Sequence, residues 1–320
     1  MISLRVSLVA LMASLAGGGD FVQVDKQTRP RIDKLGTIDL DMVETTPVVF
    51  QDRLYRFEYV RSGYHANKTG ESYFRFVDVA TGEYTPAFAQ GYDLGCAFAE
   101  GETMWAFGVD QWDGTKIVSF QSNDLKRWES HPALEAPTWG LFNTSVCKAG
   151  DRYVMAIEVG RPPEVVGVPF TSRFAESKNL IDWKLMPAEC IFTKERYSAC
   201  PSIRYLDGLF YLIYLEALPG PAYVSHIVRS KDLIRWEVSP LNPILAASEQ
   251  DKEIANIKLT EGQKAKIKGA LNRNNSDVDL CEFQGETIIT YSWGNQNGTE
   301  FLAGAVYRGT LASFLKSFFP

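Results

Sequence analysis

The heptapeptide SNDLKRW at 122–128 returns as SKNLIDW at 177–183 and as SKDLIRW at 230–236. The copies start 55 and then 53 residues apart, a period that suits propeller blades or solenoid units. Each copy ends an alternating segment: IVSFQS at 117–122, FTSRFAES at 170–177 and VSHIVRS at 224–230. That pattern predicts a strand running into a turn, with the Trp opening the next strand. The recurrence of the Trp predicts a shared packing role between repeats.

A second repeat lies ahead of the first. It is a short strand, a turn with Gly or Asp, then a long apolar strand. It occurs as TPVVFQDRLYRFEYV (46–60), GCAFAEGETMWAFGV (95–109), TSVCKAGDRYVMAIEV (144–159), PSIRYLDGLFYLIYLE (201–216) and DVDLCEFQGETIITYSW (277–293). One or two further strands follow each copy. The expected fold is therefore all-β: a five-bladed β-propeller of four-stranded antiparallel blades. A two-sheet sandwich leaves five similar hairpins at this spacing unexplained. Two segments break the rhythm. Residues 17–40 read as a polar lead-in to a propeller domain over 41–320. Residues 248–270 are rich in Lys, Glu and Ala, with the apolar spacing of a surface helix inserted before blade five. TLASFLKSFF, near the C-terminus, reads as a last short helix.

Composition narrows the partners. The 320 residues are 45% hydrophobic and 22% charged, with a formal net charge of −6. No Lys/Arg block appears, which argues against nucleic acid. The first residues, MISLRVSLVALMASLAGGG, carry Arg5 ahead of an apolar run to Leu15, and Ser14 and Ala16 put small residues at the −3 and −1 positions of a cleavage site after Ala16. Residues 1–16 thus read as a signal peptide, too short for a membrane span, and predict a secreted or periplasmic protein. The five cysteines (Cys96, Cys147, Cys190, Cys200 and Cys281) form no CxxC and read as buried small hydrophobes. The three widely spaced histidines argue against a zinc site. No cofactor is implied. A structural divalent cation such as calcium is compatible with a channel, although no dedicated loop is present.

The five hairpins and the SxDLxxW turns resemble the glycoside hydrolases of families 43, 32, 62 and 117, and the related family 130 phosphorylases, over roughly residues 40–310. The resemblance implies cleavage of a glycosidic bond in a plant or algal oligo- or polysaccharide, with carboxylates at the channel mouth. The acids of families 43 and 32 are not matched. Thr46 stands where they keep an Asp before the blade-one Pro, Asn143 is nearest to their blade-three carboxylate, and Ala199 precedes Cys-Pro where family 32 has a Glu.

The repeat itself supplies substitutes. Counting back eight residues from the turn residues Asp52, Gly101, Asp151 and Gly285 gives Glu44, Asp93, Asn143 and Asp277, with Ser198 or Ala199 at that level in blade four. Strand alternation puts Asp277 and Asp279 on one face, roughly 6.5–7 Å apart. Glu44, Asp277 and Asp279 are the expected catalytic acids, one protonated to serve the leaving oxygen and one ionised to attack or to activate water. Asp93, Trp139, Asn143, Glu195, Tyr197 and Arg273 are the expected sugar contacts, with Phe142 beside Trp139. Arg56 and Glu58 alternate along YRFEYV and read as a buried pair. Two alternatives stand beside the hydrolase: a catalytically inactive carbohydrate-binding propeller, and a phosphorylase or lyase on the same fold.

Overall fold

The computed structural model describes residues 29–64, 67–220, 222–295 and 298–320. The expected signal peptide at 1–16 and the first part of the lead-in lie outside the described residues. The strands, in chain order, are β1 (Asp33–Leu40), β2 (Thr45–Phe50), β3 (Arg53–Val60), β4 (Tyr73–Asp78), β5 (Asp93–Glu100), β6 (Thr103–Val109), β7 (Lys116–Ser122), β8 (Glu129–Glu135), β9 (Gly140–Ala149) and β10 (Arg152–Arg161). They continue as β11 (Thr171–Ser177), β12 (Trp183–Leu185), β13 (Ala199–Leu206), β14 (Leu209–Leu218), β15 (Ala222–Ser230), β16 (Trp236–Val238), β17 (Asn274–Phe283), β18 (Glu286–Gly294) and β19 (Glu300–Tyr307).

The chain is all-β, and its strands make antiparallel up-and-down sheets in a propeller-like arrangement. β5–β8 and β9–β12 are four-stranded sheets, and β2–β4 is three-stranded, its fourth edge reduced to bridges at Tyr84 and Phe88. β13–β16 and the order β17–β18–β19–β1 are antiparallel arrays of four, joined by one parallel bridge between Tyr223 and Asn274. The first strands of these arrays meet in a closed order: β2 touches β5, β5 touches β9, β9 touches β13, β13 touches β17, and β17 returns to β2. β1 corrects the lead-in boundary. Residues 33–40 pair antiparallel with β19 and complete the last sheet, so the folded unit starts before residue 41. A helix at Glu261–Gly269 falls between β16 and β17, and another at Leu311–Ser317 follows β19. Among the described residues no helix is long and apolar enough to cross a membrane.

The heptapeptide turns explain the packing between sheets. Ser122 Oγ accepts from the backbone N–H of Asp124 and Leu125, and Asp124 Oδ1 accepts from those of Lys126 and Arg127. Ser177/Asn179 and Ser230/Asp232 repeat this pattern. Asn and Asp side chains favour such turns because they hydrogen-bond their own backbone two residues on. The Leu of each copy is left-handed (φ 57°, 64° and 62°) yet buried. The turn thereby swings the Trp toward the preceding sheet. Trp128 stacks on Phe88 at 3.8 Å, Trp183 meets Phe107 edge-on at 5.7 Å, and Trp236 lies over Phe174 at 5.9 Å.

Candidate functional site

The five inner strands carry the site at one end. Four of them carry, just before or near their start, a non-glycine residue in the left-handed region: Glu44 immediately ahead of β2 (φ 47°), Leu94 (54°), Cys200 (50°) and Asp277 (52°). In β5, β13 and β17 this residue opens a bulge, where two residues oppose one on the next strand. Such a conformation costs about 1–2 kcal/mol per residue and persists only where the surroundings over-determine it. Its effect here is to re-aim a side chain toward the axis.

These residues correct the register. Each lies six positions before the last paired residue of its strand, and Asn143 holds that place in β9. The level residues are therefore Glu44, Leu94, Asn143, Cys200 and Asp277. Asp93 and Ala199 each fall one residue short, because Gly101 and Asp207 are the first residues of their two-residue turns whereas Asp52, Asp151 and Gly285 are the second.

Glu44, Thr46, Asn143, Cys200, Asp277 and Asp279 line one cavity of about 30 Å³, room for a single water-sized group. Asp277 is half-buried, and no cation contacts it among the described residues. The Cys200 thiol hydrogen-bonds to it. Glu44 turns both carboxylate oxygens to Arg61 Nη2 at 2.6 Å, and Arg61 also reaches Glu300 at 3.5 Å. Burial pushes the Glu44 carboxyl up to about 8, with Arg61 opposing and the charges of Asp277 and Glu300 adding to the rise. Burial raises Glu300 as well, again against Arg61 and with Asp277. One guanidinium thus faces two buried carboxyls, and burial outweighs its attraction at both.

Glu158, on β10, is a carboxylate the sequence reading did not select. It is buried, and its Oε2 accepts from Asn143 Nδ2 at 3.0 Å and from the Cys200 N–H at 2.8 Å. Burial raises its pKa to about 7 against those two hydrogen bonds, and Asp277 adds repulsion. The available signal was a lone acid inside the apolar run YVMAIEV. Burial and the charges of Asp277 and Glu158 also push the Cys200 thiol well above its ordinary value.

The other expected residues divide. Asp279 lines the cavity, but one of its oxygens is taken: Oδ1 accepts from Ser202 Oγ (2.7 Å), Arg204 Nη2 (2.6 Å) and the Leu280 N–H (2.9 Å). The bulge at Asp277 and Val278 breaks the alternation on which a shared face with Asp277 was argued. Asp279 is thus a brace across the channel floor. Asp93 accepts from Tyr59 and Ser72 hydroxyls at 2.6 and 2.7 Å and ties the first two sheets together outside the cavity lining. Trp139 lies against the Arg173 guanidinium at 5.8 Å, also outside the lining. Glu195 and Arg273 are exposed, away from it. Tyr197 is also outside the lining but stands near Cys200, Glu158 and Asp277. Burial raises its phenol pKa, with Cys200, Glu158 and Asp277 contributing, and its ring packs between Phe170 and Tyr223 at 5.9 and 5.5 Å. Arg56 and Glu58 form the expected buried pair at 2.6 Å, with Arg75 on the second oxygen at 2.7 Å. All five cysteines are free thiols. Among the described residues no group of three His, Cys, Asp or Glu converges as a metal site.

No protein-family model matches the chain, and no curated protein matches its sequence. Solved structures do match its fold. The catalytic domain of a family 62 α-L-arabinofuranosidase from Coprinopsis cinerea superposes with a TM-score of 0.60 at 9% identity, over 87% of this chain and 97% of that one. An α-L-arabinofuranosidase from Podospora anserina, solved with cellotriose, gives 0.60 at 7% identity, over 87% and 96%. A family 43 protein from Bacillus licheniformis gives 0.56 at 14% identity, over 84% of this chain and 53% of that one, so the chain spans about half of its length. The chain has the fold of the glycoside hydrolase propellers.

Proposed function

We propose that this chain is a secreted or periplasmic five-bladed propeller that cleaves a glycosidic bond at the cavity between Glu44 and Asp277. The closed order of the inner strands supports the count of five, with the segment around Glu261–Gly269 inserted before the last blade. One observation carries the chemistry: Asp277, a carboxylate free of cations, faces the same small cavity as Glu44, whose carboxyl is raised to about 8. Two carboxyl groups on one cavity, one of them holding its proton, suit general acid–base cleavage of an acetal. Glu44 serves the leaving oxygen, and Asp277 attacks or activates water. Asn143 and Tyr197 hold sugar hydroxyls, Glu158 fixes Asn143 from behind, and Asp279 with Arg204 closes the floor.

The neighbours' names make arabinofuranosides the first substrates to try, with xylosides as the related pentosides beside them. With 4-nitrophenyl α-L-arabinofuranoside and β-D-xyloside in a wider panel of aryl glycosides, Asp277→Asn is expected to lower kcat by at least about 100-fold with an unchanged melting temperature. Undiminished turnover in that variant takes Asp277 out of the mechanism. If Glu44 is the acid, activity declines as pH rises through about 8, and Glu44→Gln abolishes that limb together with most of the rate. A second reading has its own support. Arg61 occupies Glu44 and Arg204 occupies Asp279, an arrangement that suits a carbohydrate-binding propeller without catalysis. Saccharide binding without turnover on any member of the panel would favour it.

A further inference from the structure

Trp112 is among the most exposed large apolar side chains described, at 57%, yet the loop that carries it is rigidly tied. Asp110 Oδ1 accepts from the Thr115 and Lys116 N–H groups, Gly114 N–H donates to Gln111, and Leu141 N–H donates to the Gly114 carbonyl at 2.8 Å. Arg161 Nε grips both oxygens of Asp113 at 3.1 and 3.0 Å. A Cβ on Gly114 would collide with the Asp110 carboxylate, so the turn admits only glycine there. Such a loop could have folded the indole inward. Instead its ring meets Phe142 at 5.6 Å and 86°, and the side chain stays more than half exposed.

The loop that carries Trp112 stands at the mouth end of its sheet. Val109, the last residue of β6, pairs with Asp93 at the mouth end of β5, so the loop that follows rises at the mouth. Phe142 immediately precedes Asn143 of the cavity lining. From Phe142 an aromatic row continues through Phe170 (5.1 Å) to Tyr197 (5.9 Å). The cavity below the mouth holds only about 30 Å³, and Asp279 ties β17 to Ser202 and Arg204 of the neighbouring β13 beneath it. A saccharide therefore cannot thread the channel. Only its end can enter, and the rest must leave across the rim.

Resting on the carbohydrate reading above, we propose that Trp112 is a second sugar subsite: the substrate is an oligosaccharide whose terminal unit sits over Asp277 and whose next unit stacks on the Trp112 face. A flat indole offers apolar area at little entropic cost, and a preorganised loop avoids the ordering penalty on binding. The role is one of specificity, so it acts on chains and not on single sugars.

The test uses the full chain carrying Asp277→Asn, so that binding is read without turnover. Xylotriose, arabinotriose and cellotriose are titrated by calorimetry, each beside its methyl monosaccharide glycoside. Trp112→Ala in that background is expected to weaken the trisaccharide that binds by at least tenfold and to leave the monosaccharide glycoside unchanged, with Trp112→Phe in between. The melting temperature, held constant, excludes a folding effect. Equal trisaccharide affinity with and without Trp112 overturns the subsite and leaves the carbohydrate reading intact. If none of these saccharides binds, the carbohydrate reading falls, and the subsite falls with it.

Discussion

At the scale of single residues, the candidate site is a contest between burial and charge. Glu158 shows it most cleanly, because no cation opposes the burial of its carboxylate. Its pKa rises from the ordinary glutamate value of 4.5 to about 7 in the fold. The folded state therefore binds more protons than the unfolded chain between those values. Stability is complete below the unfolded pKa and is lost as pH rises through about 7. Glu158→Gln keeps an oxygen to accept from Asn143 and Cys200 but cannot ionise. It is expected to be more stable than the parent above pH 7, by up to about 3 kcal/mol, and level with it near pH 4. Urea denaturation across that range checks this, and an unchanged pH slope would contradict the assignment. Glu44 and Asp277 were legible because the repeat register reached them. Glu158 was not, since its partners come from strands 15 and 42 residues away in sequence.

At the scale of elements, the SxDLxxW turn is a packing device. The Ser and Asp or Asn side chains hold the turn, the Leu takes a left-handed conformation, and the Trp crosses to the neighbouring sheet. Trp183 is 6% exposed and donates to the Leu180 carbonyl at 3.1 Å. Trp183→Ala is expected to cost about 3–5 kcal/mol, read by chemical denaturation, whereas Trp112→Ala on the open loop should leave the denaturation midpoint in place. The turn and its Trp were readable in the sequence because the hydrogen bonds are local and recur three times. The bulges were not. They arise where strands adjust to the ring, and a shift of one residue exchanges Asp93 for Leu94 and Ala199 for Cys200. The same bulge breaks the alternation that had placed Asp277 and Asp279 on one face, while Arg204, from β13, captures Asp279.

At the scale of the whole molecule, closure depends on the chain's two ends meeting in one sheet. β1 covers β19, and a buried network locks it there. Lys34 Nζ meets Asp251 at 2.7 Å, with the Lys side chain 7% and the Asp side chain 0% exposed, and Tyr291 and Asn275 complete the shell of Asp251. Lys34→Met leaves Asp251 as a buried charge without its cation and is expected to destabilise the fold by about 3–5 kcal/mol. A chain starting at Asp41 exposes the β19 edge as well and should aggregate on size-exclusion chromatography; a monomer with parental melting would refute this closure. By itself the sequence determined the repeat, the hairpins, the turn chemistry, the buried Arg56–Glu58 pair and the level at which polar groups recur, because each is set by contacts within a few residues or by periodicity. Only the tertiary structure decided that β1 closes the last sheet, that Asp93 and Asp279 are braces, that Arg61 sits between Glu44 and Glu300, and that Glu158 stands behind Asn143 and Cys200. Those outcomes depend on which distant groups share a desolvated space, and local pattern carries no record of that.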